Sequence, residues 1–161
     1  MSHWPQRLAT CFGIGWSPIA PGTVASLAAL PFGWMLVLLG WQSILVAALL
    51  ATGLGIWACG AYARKSRNHD PAECVLDEVA GQWFTLIPIA VDMRGQDWRP
   101  YVMGFIFFRL FDIWKPYPIR RFEGLESGLG IMADDVLAGI YALIVNSILI
   151  GGYLLIVAPR G

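Results

Sequence analysis

The sequence is poor in charge. Only 14% of its 161 residues are Asp, Glu, Lys or Arg, where soluble domains carry roughly 25%. Eleven basic and eleven acidic residues cancel, so there is no electrostatic footprint for nucleic acid. Cysteine is scarce as well. Cys11, Cys59 and Cys74 are odd in number and form no CxxC, which argues against a disulfide framework or a zinc site. Cys11 and Cys59 read as small apolar fillers. Cys74 has no Cys-x5-Arg loop around it to activate a thiolate, because Ala80 stands where that arginine would be. No basic segment precedes a short apolar core and a small-residue cleavage site, so no cleavable leader is expected. Internal repeats and low-complexity tracts are missing too.

What the chain has in abundance is hydrophobicity: 57% apolar residues and a mean hydropathy of +0.61. These values belong to integral membrane proteins, and the length suits one domain. Five apolar stretches run from about Val24 to Leu39, Ile44 to Tyr62, Val75 to Val91, Tyr101 to Trp114 and Val136 to Ala158. The expected fold is therefore an all-α, polytopic membrane bundle of about five hydrophobic helices, one embedded domain over residues 1–161. The third and fourth stretches are short. Seventeen residues rise about 25 Å, below the roughly 30 Å hydrocarbon core, so a polar notch is expected there.

Basic residues set the orientation. With a cytoplasmic N-terminus, seven (Arg7, Arg64, Lys65, Arg67, Lys115, Arg120 and Arg121) fall inside, and three (Arg94, Arg99 and Arg160) fall outside. Asp77-Glu78 and Asp134-Asp135 then open inward-starting helices. Arg109, Asp112 and Lys115 close an inward-ending one, spaced three apart on one face. Ionised groups at the end of a lipid-embedded helix are costly and usually mark a site.

Paired acids with Asp112 suit a hard divalent cation such as Mg²⁺; the plainer reading is helix-end complementation of the dipole. Arg109 and Lys115 suit phosphate oxygens; the plainer reading is an Arg109–Asp112 brace and a snorkelling lysine. The Gly13–Thr23 segment is rich in Gly and Pro, with Thr23 placed to cap the first helix and free amides to face an anion. As a connector it would need no ligand. Asn146 and Ser147 lie within the last helix, where a helix–helix hydrogen bond is the expected role of Asn146.

In order along the chain stand Gly13-Ile14-Gly15, Ser17-Pro18, Ala20-Pro21-Gly22-Thr23, Asp77-Glu78-Val79-Ala80-Gly81, Phe108-Arg109-Leu110-Phe111-Asp112-Ile113-Trp114-Lys115-Pro116, Gly130-Ile131-Met132-Ala133-Asp134-Asp135 and Ala138-Gly139. This ordered set resembles the phosphatidylglycerophosphatase A family of bacterial membrane lipid phosphatases. Ile14 stands where many members carry serine, so the glycine framework rather than a hydroxyl is the shared feature there. The resemblance implies removal of the terminal phosphate from phosphatidylglycerophosphate with Mg²⁺, in the bacterial inner membrane, on a phospholipid still in the bilayer. The residues offer Mg²⁺ the carboxylates of Glu78, Asp112 and one or more of Asp77, Asp134 and Asp135. Ser17, Pro21, Gly22, Thr23, Arg109 and Lys115 become substrate-binding candidates, and Asp77, Arg109, Lys115 and Asp134 catalytic ones.

The residues fit that chemistry on their own terms. There is no phosphoaspartate motif DxDx(T/V), and His3 and His69 lie outside the cluster. Metal-assisted attack by water is the simpler route, with one carboxylate orienting or deprotonating it. Which acid does so stays open. Two alternatives remain: a phosphatase for another lipid phosphate, and a non-enzymatic transporter or assembly subunit. A transporter should place polar groups near the midplane of several helices, whereas here they gather at one face.

The basic-residue bias makes a topological prediction. In a background without native cysteines, Gln96→Cys should be labelled from outside intact cells. Labelling only after the membrane is opened would reverse the orientation.

Overall fold

Six α-helices carry most of the residues described by the computed structural model, which are 3–92, 97–122 and 128–157. They are α1 (Trp4–Ala9), α2 (Pro21–Leu38), α3 (Trp41–Ser66), α4 (Leu76–Asp92), α5 (Arg99–Trp114) and α6 (Gly128–Val157). Short 3₁₀ turns occupy Cys11–Trp16 and Ile119–Arg121. The described residues are thus all-helical, and the apolar helices are the five expected ones. Three of them, α2, α3 and α6, are long and apolar enough to cross a membrane. The expected shortness of the other two holds: α4 has 17 residues and α5 has 16, about 25 Å at most.

Local chemistry sets the ends. Pro21 stands at the first position of α2, where its missing N–H costs nothing. Asp77 and Glu78 fall in the first turn of α4, complementing its positive end. Lys115 closes α5 in a left-handed conformation, and Pro116 prevents continuation.

The short helices form the centre. Helix α4 packs against α2, α3, α5 and α6 and buries Ala80, Phe84, Leu86 and Ile89. Its closest neighbour is α6, and glycine makes that approach possible. A Cβ on Gly139 would run into the backbone of Gly81, and one on Gly81 into the Phe108 ring and the Asp135 carbonyl. Small residues at such crossings let membrane helices gain dispersion and packing where lipid offers no hydrophobic gain. Asn146, 1% exposed, donates from Nδ2 to the Thr85 carbonyl at 3.3 Å and the Pro100 carbonyl at 3.2 Å. It provides the expected interhelical bond and ties α6 to α4 and α5.

Several boundaries differ from the sequence reading. Helix α6 begins at Gly128, so Asp134 and Asp135 lie in its second turn rather than ahead of it. The apolar stretch from Val136 marks only part of this helix: Gly128 packs against the Ile56 carbonyl and the Gly60 amide of α3, and tertiary contact overrides propensity. Thr23 does not cap α2; Ala20 occupies the cap position in a left-handed conformation, without a side-chain bond. The polar-looking N-terminal stretch forms α1, which docks on α3, with Lys65 Nζ donating to Gln6 Oε1 at 3.1 Å. Arg94, position 96 and Arg160 lie outside the described residues.

Gly139→Leu should cost about 3 kcal/mol or more by forcing α4 and α6 apart. Gly152→Leu, with open space around its Cβ, should be tolerated. Denaturation of the purified protein in detergent measures both; equal stability of the two would refute the packing account.

Candidate active site

Because the helices alternate in direction, the start of α2, the end of α3, the start of α4 and the end of α5 lie at one end of the bundle. The second turn of α6 joins them. A cavity of about 270 Å³ opens there. Gly22 and Thr23 line one wall, Asp77 and Glu78 another, and Arg109, Asp112 and Lys115 a third. Asp134 and Asp135 complete it from α6. Four sequence-distant segments are therefore brought together, as the topology required. Ser17 is not among the lining residues; its hydroxyl donates to the Ile19 carbonyl at 3.0 Å.

Arg109 is the hub. Its Nη1 pairs with Glu78 Oε2 across to α4, and with Asp112 Oδ2 at 2.8 Å along its own helix. The expected brace exists and has a second acid on it. Arg109 Nε is buried without a partner, an uncommon state for a cationic donor. Lys115 Nζ donates to Asp134 Oδ2 at 2.6 Å. The two acid pairs share a local geometry. Asp77 Oδ1 accepts the Glu78 amide at 3.0 Å, and Asp134 Oδ1 accepts the Asp135 amide at 3.1 Å.

Carboxylate oxygens of Glu78, Asp112 and Asp135 all lie within 4.8 Å of one another. These are hard donors from three different helices, the set Mg²⁺ prefers. Three carboxylates and the Arg109 guanidinium, −3 and +1, leave two negative charges, matching one divalent cation where unpaired charge is expensive. The triad is narrower than the five acids expected from sequence. Asp134 is occupied by Lys115, and Asp77 lies outside the close set while still lining the cavity.

Two contributors went unread in the sequence. Ser26 is fully buried, with Oγ 3.1 Å from Glu78 Oε2 and 2.8 Å from the Gly22 carbonyl, in donating reach of both. Its signal was position, four residues beyond Gly22 and so on the same face of α2. Asp70 also lines the cavity, from a segment with no motif to mark it. Gly22 has a steric role: a Cβ there would collide with the Glu78 carboxylate and sit 3.4 Å from Arg109 Nη1. Cys74 lines the cavity. Nearby, burial pushes the Cys11 thiol up to about 12, which keeps it protonated and unreactive.

The family model for phosphatidylglycerophosphatase A matches residues 7–150. A phosphatidylglycerophosphatase A of Escherichia coli is 41% identical over 141 residues, covering 87% of this chain and 80% of the relative. That of Haemophilus influenzae is 43% identical over 140 residues, 86% and 83%. A Bacteroides thetaiotaomicron protein named as a candidate phosphatidylinositol-3-phosphatase is 39% identical over 158 residues, 91% and 94%. No solved structure matches the chain.

The triad generates a binding prediction. Mg²⁺ at about a hundred times its dissociation constant should stabilise the folded protein by about 2.7 kcal/mol. Asp135→Asn should abolish that shift. An unchanged response in the variant would remove the triad as the cation site.

Proposed function

The chain belongs to the phosphatidylglycerophosphatase A family, and from that premise we propose that it removes the terminal phosphate of phosphatidylglycerophosphate. The products are phosphatidylglycerol and orthophosphate. The observation that carries this reading is the convergence of three carboxylates and two cations in one cavity. Family membership sets aside the non-enzymatic alternative.

Glu78, Asp112 and Asp135 would hold Mg²⁺, which when bound supplies Lewis-acid polarisation of a phosphoryl oxygen. Arg109, with Nε unpaired, and Lys115 bind the remaining phosphoryl oxygens and offset charge that develops on them. One of Asp77 and Asp134, which line the cavity outside the triad, orients the attacking water, takes its proton as the P–O bond to the lipid breaks, and returns a proton to the leaving oxygen of phosphatidylglycerol. The first turn of α2, Pro21 to Thr23, offers backbone close to the phosphate because Gly22 has no side chain. Ser26 steadies Glu78. Ser17 has no part in this arrangement.

The whole chain acts as one membrane-embedded unit in the bacterial inner membrane. The site faces the cytoplasm, since the basic residues of the described helix ends gather at the cavity end. A second reading, hydrolysis of another lipid phosphate, is favoured by the name of the Bacteroides thetaiotaomicron relative.

Phosphate release by purified protein from a panel of lipid phosphates, with and without Mg²⁺, decides between these. The expected result is Mg²⁺-dependent release, fastest from phosphatidylglycerophosphate. Asp112→Asn should keep less than about a tenth of wild-type activity per folded molecule, because a lost ligand removes several kcal/mol of charge stabilisation. Activity that tracks only the folded fraction would reduce Asp112 to a brace for Arg109.

A further inference from the structure

The polar cavity is not the largest concave feature. Beside it lies an apolar cleft of about 730 Å³ between α2 and α4, with Leu8 of α1 and Ala47 of α3 also lining it. The two features share walls. On α4 the polar cavity takes Asp77 and Glu78, and the apolar cleft takes Leu76 and Val79. On α2 the polar cavity ends at Thr23 and the cleft starts at Ala25. The headgroup site and the cleft therefore meet within one helical turn.

From Ala25 to Leu39 the cleft follows α2 for about 21 Å at 1.5 Å per residue. One leaflet of a bilayer is about 15 Å of hydrocarbon. The cleft is thus long enough for an acyl chain descending from the interface. Phe12 lines the cleft, and Trp4, Phe12, Trp16 and Ile19, all exposed, belong to the segment that leads into α2, where aromatic residues suit headgroup depth. The Trp83 indole donates to the Ala29 carbonyl at 3.0 Å, so the two walls are fixed to one another. The cleft is built in rather than a gap between loosely placed helices. Proteins fill such space with their own side chains unless something else occupies it.

We propose that this cleft seats one acyl chain of the lipid phosphate while its phosphoryl group lies in the polar cavity. The proposal rests on the lipid phosphatase reading and names how that site selects its substrate. A chain held in the cleft fixes the depth and angle of the glycerol backbone. Discrimination then falls on the diacyl anchor as well as on the phosphate. The second chain stays in the bilayer. Lipid surrounds the protein on all sides, so the gain is in positioning rather than in burial from water.

The test uses full-length protein in mixed micelles. The substrates are dioleoyl phosphatidylglycerophosphate and its deacylated headgroup, with Mg²⁺. Ala28→Phe fills the cleft from a half-buried position, and Leu27→Phe on the exposed side of α2 is the control. For Ala28→Phe, kcat/KM for the dioleoyl substrate should fall roughly fivefold, chiefly through kcat. Its turnover of the deacylated compound should match wild type, as should both activities of Leu27→Phe. An equal loss on both substrates, or no change on either, overturns the proposal. Should Ala28→Phe fail to fold, a dioleoyl lipid phosphate carrying a mid-chain diazirine decides in the wild type. Crosslinks at Ala28, Met35 or Val79 that excess unlabelled substrate removes support it; crosslinks spread evenly over lipid-facing helices overturn it. Wild-type protein that releases no phosphate from any lipid sinks the phosphatase reading instead, which the crosslinking pattern tells apart.

Discussion

The pairing of Arg109 with Glu78 and Asp112 is the constraint around which the rest is arranged. Five helix-borne acids and two cations are packed at one end of an apolar bundle, where an uncompensated charge is severely penalised. The guanidinium reaches two carboxylates only because α5 ends where α4 begins. That meeting requires two short antiparallel helices at the centre of the bundle. Their shortness follows from the site: a longer α4 or α5 would carry the charged ends out of the shared cavity. Asn146 fixes the opposite end of α5, so its rotation is held at both ends and Arg109 stays on the α4 side.

Steric exclusion does as much as charge. Gly22 lets α2 approach Glu78, and Gly81 with Gly139 lets α4 meet α6 almost backbone to backbone. This brings Asp135 to Glu78 and Asp112. The carboxylate triad is thus produced by glycine packing on one side and an arginine bridge on the other. Neither alone would set three acids from three helices within reach of a single ion.

Much of this was readable from the residues. Five apolar segments, the direction of each and the gathering of Asp77, Glu78, Arg109, Asp112, Lys115, Asp134 and Asp135 at one end followed from hydropathy and the placement of charge. What was not readable depended on contacts between segments. The start of α6 at Gly128 is set by its fit against α3, which no propensity reports. Ser26 has an ordinary helical position until Glu78 is placed beside it. Ser17, in the same Gly/Pro-rich stretch as Gly22, ends up outside the cavity because Ala20 turns the chain before α2 begins. The narrowing from five acids to a triad needs side-chain geometry, which residue spacing along one chain does not contain.

Lys115 closes α5 with φ near 47°, a left-handed conformation that costs a non-glycine residue roughly 1–2 kcal/mol. Glycine or asparagine would relieve that strain and is the ordinary choice at a helix end. The chain keeps lysine there, and the same backbone twist sends its ammonium to Asp134. Glycine there would relieve the twist but strand the Asp134 carboxylate without its partner, so the two effects on stability oppose one another. Melting temperature is a misleading guide at this residue: a helix end of unchanged sturdiness can conceal the loss of the ammonium beside Asp134.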